Sequence, residues 1–126
     1  MSSPNTCLFT ESHEWYRVDG DVATVGISQF ATNELTDVTY VEMQPVGTKV
    51  SAGDSLGEVE SVKTTSDVFA AAAGEIVEVN PLVSDDPSLL NSDPYGDGWL
   101  VRMRLADGID ASTLQDFASY DQKFST

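Results

Sequence analysis

Lys63 and the acids around it are the residues whose types and spacing could do chemistry in this chain. It is one of three lysines among 126 residues. It lies in the run Val59-Glu60-Ser61-Val62-Lys63-Thr64-Thr65-Ser66-Asp67-Val68; the alternating small, apolar and acidic residues over 53–59 before it and the apolar return over 68–70 after it predict two strands and a turn. A primary amine presented on a rigid protruding turn, with Glu60 three positions before it, suits enzymatic attachment of a prosthetic group better than acid–base catalysis. The chain therefore reads as a carrier, with no catalytic residue assigned. His13, the only histidine, has no Ser or Cys nucleophile motif near it, so a structural polar contact or a partner-surface contact is expected. Asp93-x-Tyr95-x-Asp97-Gly98 mimics the start of a calcium loop. Tyr at its third position and Arg104 at the last ligand position make it a Pro-Gly turn instead. One histidine and one distant cysteine offer no zinc cluster, and no metal is expected.

The lysine turn needs strands to hold it, and the flanking sequence supplies them. Gly53-Asp54 turns into a strand over 55–60, the chain returns over 65–69, and Gly74 precedes a further strand over 75–79. Upstream, a strand over 15–18, the turn Asp19-Gly20 and a strand over 22–27 read as a hairpin, since Asp-Gly readily adopts the positive φ such turns require. Ser28 is placed to cap a short helix carrying Phe30, Ala31 and Leu35, before a β-branched strand over 38–43. Downstream, residues 86–90 suit a helical turn and 93–98 a loop. Trp99, Val101, Met103 and Leu105 alternate with Arg102 and Arg104 as a half-buried strand. Ser112 and Gln115 suggest a capping box for a C-terminal helix whose inner face is Leu114, Phe117 and Ala118. A weak pseudo-repeat pairs Val50-x-x-Gly53-Asp54 with Ala70-x-x-x-Gly74-Glu75 around the lysine. Residues 1–7 are expected to be a flexible lead-in and 8–126 a single domain.

Composition narrows the function classes. Twenty-one acidic against six basic residues give a formal charge of -15, which repels nucleic acid and anionic lipid and favours a basic partner surface. Cys7 alone forms no internal disulfide. No apolar run of membrane length and no signal or transit pattern is evident, so a cytoplasmic monomer is expected.

At these residues the chain resembles the glycine cleavage system H-protein family. The pattern Gly53-Asp54-x-Leu56, Val59-Glu60-x-x-Lys63 and Gly74-x-Ile76 is common to lipoyl and biotinyl domains. His13-Glu14-Trp15, Glu60-Ser61-Val62-Lys63 and the loop from Asn91 through Trp99 resemble the H proteins more specifically. A biotin carrier would have Met on both sides of its lysine, where this chain has Val62 and Thr64, so lipoate is favoured. Ala71 departs from the Pro common after the alanine of that turn, which bears on the stiffness of the post-lysine loop.

The resemblance implies a mainly-β barrel-sandwich hybrid, lipoyl-domain-like, with short helices and a C-terminal helix, bearing lipoate covalently on Lys63. It implies service to a pyridoxal-phosphate glycine decarboxylase, a tetrahydrofolate-dependent aminomethyltransferase and a dihydrolipoamide dehydrogenase using FAD and NAD, with a lipoylating enzyme acting first. Glu60 is the candidate for recognition by that enzyme. Because a lipoyl-bound aminomethyl group is cationic, Glu14 and Asp67 are candidate contacts for the loaded arm; the competing reading makes both plain surface acids. Two other functions stay open at this point: a lipoate or octanoate relay protein of the same fold, and a non-lipoylated scaffold.

Overall fold

Ten short strands and four short helices alternate through the described part of the chain. The computed structural model describes residues 7–106 and 114–123. In order, they are β1 (Leu8–Phe9), β2 (Glu14–Asp19), β3 (Val22–Ile27), α1 (Gln29–Leu35), β4 (Val38–Met43), β5 (Lys49–Val50), β6 (Ser55–Ser61) and β7 (Thr65–Phe69). They continue with β8 (Gly74–Val79), α2 (Pro81–Asp85), α3 (Leu89–Ser92), β9 (Val101–Leu105), β10 (Gln115–Asp116) and α4 (Phe117–Lys123). Seven strands form one sheet in the order β10-β1-β2-β3-β9-β8-β5, and β4-β6-β7 form a second. Every strand pairing is antiparallel. The expected mainly-β hybrid of barrel and sandwich is the fold observed.

Alternation along the strands decides what is inside. Tyr16, Val25, Ile76 and Met103 from the larger sheet meet Val41, Leu56, Val59 and Val68 from the smaller one in a single core, the inward half of the period-2 pattern. A second cluster of Cys7, Phe9, Trp15 and Tyr120 fastens β1 and α4 to the other side of β2. Gly26, opposite Trp15 in the β2–β3 ladder, is fixed by close approach: a Cβ there would lie 2.6 Å from the indole ring.

The Asn91–Trp99 segment is a buttress. Asn91 Nδ2 donates to Thr36 O at 2.5 Å and its Oδ1 accepts from Val38 N at 3.0 Å, fixing the α1–β4 turn. Pro94 O accepts from Trp15 Nε1 at 3.0 Å, and Tyr95 Oη accepts from Gln29 N at 2.9 Å. Three elements around α1 are thereby tied to one loop. Ala71 raises no slackness after the lysine hairpin: its N–H, which proline would lack, donates to Tyr16 Oη at 2.7 Å, and that hydroxyl donates to Phe69 O at 3.0 Å. The two halves of the pseudo-repeat pair with each other, Gly53 N donating to Ala70 O and Ala70 N to Asp54 O, both at 2.8 Å.

Two expectations need correction. Asn80 caps a helix at Pro81, its side chain accepting from Leu82 N, so helical structure begins before the 86–90 segment and resumes at Leu89; Pro at the first helical position is preorganised for this. At the C-terminus Ser112 lies outside the described residues. Gln115 is in β10, paired with Phe9, and α4 starts only at Phe117. Phe117 and Tyr120 face inward while Ala118 is exposed, because pairing to β1 takes Gln115 into a strand.

Candidate functional site

The lysine turn is built from backbone and one serine. Glu60 pairs with Thr65 across β6 and β7, and Ser61 N donates to Thr64 O at 2.8 Å to close a four-residue turn. Ser61 Oγ accepts from Lys63 N at 3.1 Å and Thr64 N at 3.0 Å, satisfying two amides the turn would otherwise leave open. Val62 N donates to Asp37 O at 3.1 Å, bracing the tip against the α1–β4 turn. None of these bonds uses the Lys63 side chain, which is exposed. Its Nζ donates to Glu34 O at 3.2 Å, among the last carbonyls of α1, where a cation is favoured by the helix dipole.

Beside the turn, α1, β7 and the segment before β2 enclose a cleft of about 350 Å³. Its floor is apolar, from Ile27, Phe30, Ala31, Leu35, Val59 and Val68; its polar rim includes Ser12, His13, Glu34 and Asp67. Ser28 caps α1 through Ala31 N at 3.1 Å, and Thr36 at φ 66° and ψ -131° ends it. His13 also has a positive φ, 74°. Such conformations cost roughly 1–3 kcal/mol in residues other than glycine, and both flank the cleft.

Glu14 is no surface acid. It is 1% exposed, with Oε1 accepting from Thr10 Oγ1 at 2.6 Å and Ser12 Oγ at 2.7 Å, and Oε2 from Phe69 N at 3.2 Å. Burial raises its pKa, and those hydrogen bonds partly oppose the rise. It clamps the start of β2 to the end of β7, directly behind Ser12 on the cleft rim. Asp67 is exposed and lines the cleft as well; in register it lies opposite Glu58, which lies opposite Glu42. Three carboxylates thus run across the smaller sheet, an arrangement that repels itself. Glu60, half-buried, shares a register line with Tyr40 and Thr65.

His13 is a wall of the cleft. Its Nδ1 is 2.7 Å from Tyr120 Oη, which is 2.6 Å from Ser28 Oγ, and its ring lies 4.8 Å from that of Phe30. Burial lowers its pKa, opposed by the nearby Glu34 carboxylate. The expected structural polar contact is therefore present. Sequence reasoning passed over Ser12 and Glu34. Glu34 carried a signal: it stands three and four positions from Ala31 and Phe30, an acid inside the stripe taken as apolar.

Comparison with known proteins follows the same lines. The family described as "Glycine cleavage H-protein" matches residues 7–126. The glycine cleavage system H protein of Chlorobaculum tepidum is 49% identical over 122 residues, covering 95% of each chain. That of Methylacidiphilum infernorum is 43% identical, covering 97% of this chain and 95% of its own. The crystal structure of a glycine cleavage system H protein from Mycobacterium marinum superposes with a TM-score of 0.87 at 39% identity, over 96% of this chain and 98% of that one.

Proposed function

The chain belongs to the glycine cleavage H-protein family, and from that premise we propose that Lys63 bears the lipoyl group and that the neighbouring cleft shelters its cargo. Membership makes the chain a lipoyl carrier of the glycine cleavage system. The observation that carries the assignment to Lys63 is its placement, an exposed amine on a turn held without its side chain, beside an apolar-floored cleft that its neighbour Thr64 lines and with its Nζ on the carbonyl of Glu34, another lining residue.

The residues fit the group. An acylated lysine loses its charge but keeps an N–H, so the donor that meets Glu34 O survives modification. Ile27, Phe30 and Leu35 offer apolar surface to an alkyl chain, while Ser12, Asp67 and, behind them, Glu14 offer acceptors to a cationic amine. Bound lipoate supplies a reversible two-electron thiol–disulfide couple and a nucleophilic sulfur. Everything else is the protein's work: presenting the arm, excluding water from the cargo, and docking in turn on partners. These are a pyridoxal-phosphate decarboxylase, a tetrahydrofolate-dependent aminomethyltransferase and a flavin dehydrogenase. The chain itself is a non-catalytic component. Glu60, three positions before the lysine on β6, is the residue we assign to recognition by the lipoylating enzyme.

Peptide mapping of protein from its native host tests the assignment. A lipoyl mass is expected on Lys63 and on neither Lys49 nor Lys123, and Lys63→Arg should fold normally yet remain unmodified. Lipoate on another lysine, or anywhere on the Lys63→Arg variant, would overturn it.

A further inference from the structure

The cleft rim carries a carboxylate that the sequence reading left without a role. Glu34 projects from the last turn of α1 into the lining of the cleft, and Asp67 lines it from β7. Among the described residues, the two ion pairs are Arg102–Glu78 and Arg104–Asp21, so neither cleft carboxylate is neutralised by one. The basic groups close by are Lys63, whose Nζ rests on the Glu34 carbonyl, and His13, which burial disfavours in its charged form. Acylation removes the Lys63 charge. In the modified protein the rim is therefore acidic on two sides over an apolar floor, an environment that favours a cation tethered to an alkyl chain over the same chain without one.

We infer that Glu34 is a positioning residue that makes this cleft select the cationic, aminomethyl-loaded arm over the neutral oxidised arm. The inference rests on attachment at Lys63 and on cargo shelter in the cleft, and it adds the residue that discriminates between the two states. Glu34 belongs to α1, whose cap, terminal turn and buttress are fixed by Ser28, Thr36 and Asn91. Its position is thus set by the scaffold, independently of any partner.

Spontaneous loss of the cargo is a hydrolysis. Water adds to the carbon between sulfur and nitrogen, and the thioether and amine bonds to that carbon break. One thiol, one formaldehyde and one ammonia are released, with no change in overall oxidation state. A cargo held in the cleft is withdrawn from that water, so its lifetime reports seating.

The experiment uses full-length lipoylated protein, its modification verified by intact mass, loaded with glycine and the decarboxylase, then freed of enzyme. Formaldehyde release is followed in wild type, Glu34→Gln, Asp67→Asn and Glu42→Gln, with amide chemical shifts of Ser12, Phe30 and Ala31 recorded before and after loading. Glu34→Gln is expected to lose cargo about threefold to fivefold faster, with melting temperature and oxidised-form spectra unchanged. Glu42→Gln, which removes the same charge from the outer face of the smaller sheet, should match wild type. Equal lifetimes in Glu34→Gln and wild type, with faster loss in Asp67→Asn, would overturn the role of Glu34 and leave cleft shelter standing. Equal acceleration by Glu34→Gln and Glu42→Gln would overturn it in favour of a general field effect. Loading that moves none of the three amides would overturn cleft shelter itself.

Discussion

Replacing Thr36 with glycine should stabilise this protein. Thr36 closes α1 at φ 66° and ψ -131°, a region that an L-residue with a branched Cβ enters only at a cost of about 2 kcal/mol, and that glycine enters freely. Against this relief stand two losses. Glycine widens the unfolded ensemble, costing about 0.7 kcal/mol, and the Thr36 Oγ1 bond to Leu35 O, at an exposed position, contributes about 0.5 kcal/mol. The backbone bonds survive, since Thr36 N donates to Thr32 O and its carbonyl accepts from Asn91 whatever the side chain. The net is a gain of about 1 kcal/mol, or roughly 4 °C in melting temperature for a domain of this size. Thr36→Ala, which keeps the Cβ but lacks the hydroxyl, should lose about 0.5 kcal/mol, so the two variants should differ by about 1.5 kcal/mol. Urea unfolding of wild type and both variants, with equal m values, measures this directly. A Thr36→Gly midpoint at or below that of Thr36→Ala would refute the claim that the cleft-side end of α1 is held under strain.

Further outcomes follow from other contacts. Gly26→Ala should destabilise by about 3 kcal/mol, because the new methyl would meet the buried Trp15 ring; a melting temperature within 2 °C of wild type, a shift of roughly 0.5 kcal/mol, would contradict the packing described. Glu14→Ala should cost about 3 kcal/mol and Glu14→Gln about 1 kcal/mol, since glutamine can still accept from Phe69 N while donating to the rotatable hydroxyls of Thr10 and Ser12. Burial raises the Glu14 pKa in the folded state, so its proton is bound more tightly there. The stability it brings is full below the ordinary carboxylate pKa and lost as pH rises through the raised value. The margin of wild type over Glu14→Gln should therefore narrow as pH rises above the ordinary carboxylate range, and a widening margin would sink the assignment. Lipoylation takes the formal charge from -15 to -16, so association with the decarboxylase should slow as salt screens the field over about 8 Å; a Michaelis constant indifferent to salt would mean apolar docking.

The hairpins were legible because each carries its own instructions within a few residues. Asp19-Gly20 marks one turn, and alternation marks β6 and, most clearly, β9. Ser28 was readable as a cap for the same reason: its partner, Ala31 N, is three residues away. What failed was non-local. The C-terminal segment looked like a helix start until β1, more than a hundred residues earlier, claimed Gln115 and Asp116 as a strand. The turn that carries Lys63 was legible locally, whereas the competing reading of Glu14 as a plain surface acid failed because its burial depends on Phe69, 55 positions away. Glu34 reaches the cleft only because Asn91 and Val62 fix the α1–β4 turn from two distant parts of the chain.

The nearness of Lys63 to the cleft also sets a limit on how tightly the cleft ought to grip. An arm attached at Lys63, as proposed, samples the cleft at an effective concentration in the millimolar range, so an intrinsic dissociation constant of about 0.1 mM, roughly 5.5 kcal/mol, already seats it about nine-tenths of the time and leaves room for the severalfold loss of protection expected of Glu34→Gln. Anything much tighter would trap the arm. A partner active site has only to exceed that modest competitor to draw the arm out, and the same weakness lets the arm return once its enzyme departs. A shallow, solvent-edged hollow with a few carboxylates is therefore matched to a chain that must hold its passenger between encounters and surrender it at each one.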